Sequence, residues 1–327
     1  MSLLQITLLC AAVLTAAYFL YGGLLKRLLK LDPNTTTPAV AMRDDVDYVP
    51  IEPKFLMGQH FSAIAAAGPI VGPILAGAMF GWLPALIWIL VGSIFIGGVH
   101  DMTALVASIR HRARSIAEVV REHMSRRSYM LFLCFIWMAL VYIVVAFADI
   151  TASSFVGIVE LDNGQKVSGG GIATSSMLYL ALQVVMGLLL RFTRLSLTWA
   201  TIIFLPLVGV AIWIGQYIPF DVAGIFGIPN ATAHRCWNIA LLVYCFAASV
   251  VPMWLLLQPR GHLGGYFLYA SLIGCALGLV FGGKTIQYPA FINWTSTAGA
   301  PLFPVLFITI ACGACSGFHA LVASGTT

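Results

Sequence analysis

The chain has 327 residues, of which 60% are hydrophobic and only 9% are charged, and its formal net charge is +5. A soluble domain carries about 25% charged residues, so this composition excludes a soluble enzyme or a soluble binding module. The basic residues lie between apolar runs rather than in one patch, which argues against a nucleic-acid partner. We therefore expect an all-α, polytopic membrane protein whose main surroundings are a lipid bilayer.

About nine membrane-spanning helices are predicted, because each apolar run approaches the roughly 18–20 residues that cross the hydrocarbon core. They are residues 3–25, 61–79, 83–109, 129–147, 174–190, 195–214, 237–257, 265–281 and 301–322. Residues 1–30 form a first anchor in this interpretation, and residues 31–327 form the core. With Lys26 in the cytoplasm, fourteen of the 17 Lys and Arg residues fall inside. This bias predicts an outside N-terminus and an inside C-terminus.

Three connections between the predicted spans have a recognisable character. Residues 31–59 are rich in Pro, Thr and Asp and are expected to be irregular. Residues 115–127 place apolar side chains at helical spacing between charges, which predicts an amphipathic surface helix. Residues 151–171 contain Asn163-Gly164 and three successive glycines, which predicts a turn-rich or hairpin excursion.

The segment HFSAIAAAGPIVGP, His60–Pro73, is apolar enough to enter the membrane but contains two Gly-Pro pairs. Because proline removes a backbone donor and crowds the preceding turn, Gly68-Pro69 and Gly72-Pro73 are expected to break the helix. Broken backbone at bilayer depth is tolerated only where protein or a water-filled cavity satisfies its polar groups. We expect a substrate site here, with helix N–H groups facing an anion.

Asp101 lies well inside an apolar segment, before the basic residue Arg110. A carboxylate at that depth costs at least about 2.5 kcal/mol and normally faces a cavity or a partner. It is interpreted as a proton or cation site, or as a counter-charge for a substrate ammonium. The alternative is a buried acid held by backbone donors or by His100. His60 is either a proton shuttle or an interfacial histidine solvated by water.

The last span concentrates small and polar residues, and it predicts either a cation or substrate site or simple helix packing. An intramembrane serine protease is disfavoured, because the surroundings of Ser316 do not match the G-x-S-x-G turn. Cys312 and Cys315 have no second Cys or His pair at ligand spacing, so no metal site is predicted. The residues assigned to the cation or substrate site are Ser316, His319, Ser324, Thr326 and Thr327.

Pro252 interrupts another apolar run, residues 237–257. Many transporters contain two inverted repeats whose equivalent helices are discontinuous. The GPIVGP and Pro252 segments fit the first helices of two such five-helix repeats, the second of them incomplete in this chain. A lone membrane proline that only kinks its helix is the alternative.

Taken together, these segments resemble the carbon starvation protein A (CstA) family of bacterial inner-membrane proteins. The resemblance covers TTPAVAMRDDVDYVP, HFSAIAAAGPIVGP, the Asp101 helix, VPMWLLLQPR and LFPVLFITIACGACSGFHALVASGTT. Departures from the family pattern fall at Gln59, Ala66 and Gly261, where we expect His, Gly and Asp respectively. The family is about twice as long as this chain, so we expect a further C-terminal half or an oligomer to complete it.

The resemblance implies an inner-membrane secondary transporter, not an enzyme. Its substrate would be a short peptide or a related carboxylate such as pyruvate, taken up under carbon starvation. No cofactor is expected beyond a coupling proton or sodium ion. The alternatives are a channel or sensory membrane protein without coupled transport, and an inactive fragment of a longer transporter.

Overall fold

The structure is a computed structural model that describes residues 2–44, 48–50, 52–65, 68–160, 166–252 and 254–324. The predictions for Ala66, Asn163-Gly164, Thr326 and Thr327 lie outside these residues. The chain divides into two compact units, Met1–Met130 with Leu268–Thr327, and Leu131–Phe267. The division into an anchor of residues 1–30 and a core of residues 31–327 stays a prediction.

The described residues are mostly helical, as the composition predicts. The helices are α1 Leu3–Leu28, α2 Pro38–Ala41, α3 Pro53–Ile64, α4 Gly68–Phe80, α5 Trp82–Val91, α6 Gly98–Arg110, α7 Ile116–His123, α8 Arg126–Val156, α9 Gly170–Phe192, α10 Leu197–Tyr217, α11 Val222–Phe226, α12 Asn230–Val250, α13 Leu257–Gly282, α14 Leu302–Ala314 and α15 Gly317–Ala323. A π-helical segment, Gly92–Gly97, joins α5 to α6.

Among the described residues, seven stretches are long and apolar enough to cross a membrane, and α4 is a shorter apolar helix. The all-α, polytopic membrane class is therefore confirmed. The count of nine spans is not. The predicted span 61–79 is divided between α3 and α4, and α12 is absent from the seven stretches.

The first unit has its core between α4, α5 and α14. Ala76 and Phe80 of α4 are fully buried there, together with Leu306 and Ile310 of α14. The Trp88 indole N–H of α5 donates to the carbonyl oxygen of Phe307 at 3.2 Å. These contacts fix α4 against α14 along most of its length.

The second unit is built on the α9–α10 helical hairpin. Its largest buried cluster joins Met186 of α9 and Phe204 of α10 to Leu263 of α13. A smaller cluster packs Phe155 of α8 on Trp237 of α12, with the two rings edge to face. The described residues of 151–171 include antiparallel strands β1 Ile158–Glu160 and β2 Lys166–Ser168, so the predicted hairpin is confirmed.

The connections differ from the sequence predictions mainly in length. The amphipathic helix of residues 115–127 is shorter, because α7 ends at His123 and Met124 is extended. The described residues between 31 and 52 are irregular apart from the single turn of α2, while Pro53 starts α3 inside the segment predicted to be irregular. The interruption at Pro252 is observed, since α12 ends at Val250. The inverted repeat itself stays a prediction.

Candidate functional site

Two discontinuous helices meet in the first unit. The first is α3–α4, which is interrupted between Ile64 and Gly68, and the second is α14–α15, which is interrupted at Cys315 and Ser316. Helix α4 packs against α14, while α15 packs against α3 and α6. The arrangement therefore brings both interruptions and the Asp101 helix into one part of the same unit.

Glycines allow α4 and α14 to touch through their backbones. A Cβ atom at Gly68 would lie 2.7 Å from the Cys312 sulfur, and one at Gly313 would lie 2.6 Å from the Cα of Pro69. A Cβ atom at Gly72 would overlap the carbonyl oxygen of Thr309. Gly68 and Gly72 thus form a small-xxx-small contact of the kind that joins membrane helices.

The position of the first interruption differs from the sequence prediction. Pro69 is the second residue of α4, where the missing N–H has no helical partner in any case. Pro73 lies inside α4 and does not end it. The predicted break in this span is present, but Gly72-Pro73 does not contribute to it. There is one break, and it precedes Gly68.

Asp101 lies in the first turn of α6, directly after the π-helical segment. Its two carboxylate oxygens face two different histidines. Oδ1 is 2.7 Å from Nδ1 of His100, and Oδ2 is 3.5 Å from Nδ1 of His319 on α15. His319 is 5% exposed. The sequence assigned both residues to a substrate or ion site without pairing them, and that role stays a prediction.

His100 connects the carboxylate to the interruption in α14–α15. Its Nε2 atom lies 3.0 Å from the carbonyl oxygen of Cys315, the residue that follows α14. Helix α3 adds His60, which is close enough for the charges of Asp101 and His319 to act on it. The sequence did not decide whether His60 shuttles protons or is an interfacial histidine. It indicated His100 only as a possible partner of a buried Asp101. In the sequence, both histidines were recognisable by their positions. His100 directly precedes an intramembrane acid, and His60 begins the interrupted span.

The serines of the last segment bond to backbone groups. Ser316 is the N-cap of α15, and its hydroxyl accepts from the Phe318 N–H at 3.2 Å. The Ser324 hydroxyl accepts from the Ile116 N–H at 3.1 Å and donates to the Leu321 carbonyl oxygen at 3.3 Å. These bonds hold the two ends of α15. A role for either serine in binding a substrate or cation stays a prediction.

The sequence matches the carbon starvation protein CstA family over residues 2–327. It is 36% identical over 338 residues to the peptide transporter CstA of Bacillus subtilis, covering 100% of this chain and 53% of that protein. It is 35% identical over 334 residues to the pyruvate/proton symporter BtsT of Escherichia coli, covering 100% of this chain and 44% of that protein.

The peptide transporter CstA of Escherichia coli is 36% identical over 327 residues, with coverage of 95% of this chain and 43% of the relative. The chain thus spans about half the length of the curated relatives it matches. No solved structure matches it. The family match and these identities extend across both units, including the two discontinuous helices. The chain belongs to the carbon starvation protein CstA family.

Proposed function

We propose that this chain forms the proton-binding part of a secondary transporter for short peptides or a small carboxylate such as pyruvate. It would lie in the bacterial inner membrane with its N-terminus outside, in agreement with the distribution of Lys and Arg. The observation that carries the proposal is the group of Asp101, His100 and His319 beside the interruption of α14–α15.

The Nδ1 atom of His100 and the Oδ1 atom of Asp101 face each other, and both are buried without a hydrogen-bond partner among the described residues. A carbonyl oxygen only accepts, so the Nε2 atom that faces Cys315 carries hydrogen. In a neutral imidazole, the Nδ1 atom would then present a lone pair to the Asp101 oxygen at 2.7 Å. Two lone pairs at that distance repel each other. One additional proton, on either Nδ1 or the carboxylate, relieves the repulsion.

His319 links the state of this proton to the discontinuous helix. Its imidazole is buried on α15, and only 3.5 Å separates its Nδ1 atom from Asp101 Oδ2. An ionised Asp101 attracts the protonated or N–H form of His319, whereas a neutral carboxylic acid attracts it less. Loss or gain of the proton therefore changes the force that holds α15 near α6.

The substrate class follows from the relatives and from the N-terminus of α4. A short peptide and pyruvate both carry a carboxylate. The N–H groups of Gly68 and Ile70 lie in the first turn of α4, where backbone donors have no partner within the helix. Together with the helix dipole, such donors favour an anionic group. Gly68, Pro69, Gly72 and Pro73 would shape this end of the site.

The test is transport by the purified chain in proteoliposomes. Labelled dipeptide and labelled pyruvate are offered separately, with an inward proton gradient and with an inward sodium gradient. We expect accumulation with the proton gradient alone, and its loss when a protonophore is added. Asp101→Asn should abolish accumulation but retain exchange of substrate across the membrane, because the proton site is removed while the substrate site stays.

The matched control is Asp149→Asn, which removes an exposed carboxylate that faces His234 in the other unit. It should leave accumulation unchanged. Unaltered proton-driven accumulation in Asp101→Asn would refute the assigned proton site. Accumulation driven only by the sodium gradient would show that the coupling ion is sodium and not the proton. Absence of transport of either substrate by the unaltered chain, with the full-length peptide transporter of Escherichia coli active in parallel, would refute the transport function of this chain.

A further inference from the structure

A cluster of two histidines and one glutamate lies outside the proposed transport site. His111 immediately follows α6, and Glu122 and His123 are the last two residues of α7. The Nε2 atoms of the two histidines are 2.9 Å apart, and a Glu122 carboxylate oxygen lies 4.0 Å from Nε2 of His111. One potential ligand atom from each residue thus lies within 4.8 Å of the others.

The hydrogen bonds of His111 orient it as a metal ligand. Its Nδ1 atom lies 2.7 Å from the Ala107 carbonyl oxygen, which only accepts, so Nδ1 carries the hydrogen. The lone pair of the neutral ring is therefore on Nε2 and faces His123. Histidines that bind metals in proteins commonly donate their other N–H to a backbone carbonyl in this way, which fixes the ring and its tautomer.

One carboxylate oxygen of Glu122 is directed towards the same potential metal position as the two histidines. Its Oε1 atom pairs with the guanidinium of Arg114, while Oε2 is the atom nearer to His111. Arg114 thereby orients the carboxylate without occupying both oxygens. The side chain of Glu122 is 41% exposed and that of His111 is 23% exposed, so an ion can enter from the solvent.

We propose that His111, Glu122 and His123 bind a divalent transition-metal ion of the zinc type, with water in a fourth position. Two nitrogens and one carboxylate oxygen are the ligand set of many zinc sites that keep an open position. With zinc–nitrogen bonds of about 2.05 Å, the nitrogens of a tetrahedral site lie about 3.3 Å apart. The observed separations of 2.9 Å and 4.0 Å each require a shift of less than about 1 Å.

The ion would connect two helices that are otherwise joined by a short turn. Arg112 and Ala113, in that turn, both have positive φ values of about 60°, a conformation that is unfavourable for a non-glycine residue. A bound ion stabilises the folded turn because the unfolded chain does not assemble the three ligands. It would also fix α7 to α6, the helix whose first turn contains Asp101.

The test is a zinc titration of the full chain in detergent, in competition with a chromophoric chelator, together with Co²⁺ absorption spectra. We expect one tightly bound Zn²⁺ for each chain and the visible spectrum of tetrahedral Co²⁺. His111→Ala should weaken zinc binding at least about 100-fold, because loss of an outer partner alone costs 10–100-fold. Glu122→Gln should weaken it by a similar factor and change the Co²⁺ spectrum, since it also removes one of the three ligands.

His234→Ala is the matched control, because His234 is a partly exposed histidine near a carboxylate in the second unit. It should bind zinc as the unaltered chain does. Equal affinity in the unaltered chain and in His111→Ala would overturn the proposal, as would an octahedral Co²⁺ spectrum. A thermal melt of each variant without metal shows whether the substitution has damaged the fold. A variant that melts like the metal-free unaltered chain has lost only the ion.

Discussion

Gly313→Ala tests the backbone contact between α4 and α14, the feature that positions both discontinuous helices. The added Cβ would meet three backbone atoms of α4, at 2.6 Å from Pro69 Cα, 3.1 Å from Pro69 N and 3.3 Å from Gly68 O. Nonbonded carbon atoms are optimally about 3.5–4.0 Å apart. The helices therefore have to separate by about 1 Å at this point, because backbone atoms cannot rotate away.

The expected loss in the free energy of unfolding is the sum of two opposing contributions. Overpacking of a close contact costs about 1–3 kcal/mol, and the upper end applies because only backbone is displaced. Replacing glycine by alanine in a helix offsets about 1 kcal/mol of this. The free energy of unfolding should fall by about 2 kcal/mol, which corresponds to a melting temperature lower by about 4–8 °C on the scale of domains of 150–250 residues.

The measurement is thermal unfolding of the purified protein in detergent, followed by intrinsic tryptophan fluorescence. Gly77→Ala on α4 is the matched control, since its Cβ would have no atom within 4 Å. The control should raise the free energy of unfolding by up to about 1 kcal/mol, because only helix propensity changes. A Gly313→Ala protein as stable as Gly77→Ala would show that the helices do not touch at Gly313.

Two further substitutions test other contacts by the same thermal assay. Ser316→Ala removes the N-cap of α15 and should lower the free energy of unfolding by about 1 kcal/mol. Ser316→Thr should retain most of this stabilisation, because threonine can also cap a helix. Equal losses in the two variants would contradict the capping role. Thr201→Val removes the hydroxyl that lies 2.7 Å from His262 Nε2 and should cost about 1–3 kcal/mol. Thr15→Val, whose exposed hydroxyl bonds to Ala11 of its own helix, should change stability by less than about 0.5 kcal/mol; an equal effect at both threonines would contradict the role of His262.

The membrane class and the polar character of the site were accessible from the sequence. A carboxylate such as Asp101 inside an apolar run has few stable environments in a bilayer, so a partner was expected. The sequence could not select that partner. His319 is separated from Asp101 by more than 200 positions, and no local pattern indicates that α15 packs on α6.

The discontinuities were predicted less well, because proline has different effects at different helix positions. Pro69 starts a helix without loss of a hydrogen bond, while Pro73 is accommodated inside the same helix. The glycines of GPIVGP were interpreted as helix breakers, although Gly68 and Gly72 serve close packing. The π-helical segment before Asp101 has no distinct sequence signal. Near the interruption at Ser316, Gly313 and Gly317 are compatible with either close packing or unwinding, so the sequence did not distinguish the two.

The glycine contact between α4 and α14 also determines how these helices can move. Gly68, Gly72 and Ala76 follow one another at intervals of four residues on the buried face of α4. A slide of α4 by one turn along α14 would place the methyl group of Ala76 where Gly72 now lies against the Thr309 carbonyl oxygen. There is no space for a Cβ atom at that position. A displacement of α4 in this direction therefore requires α14 to move with it.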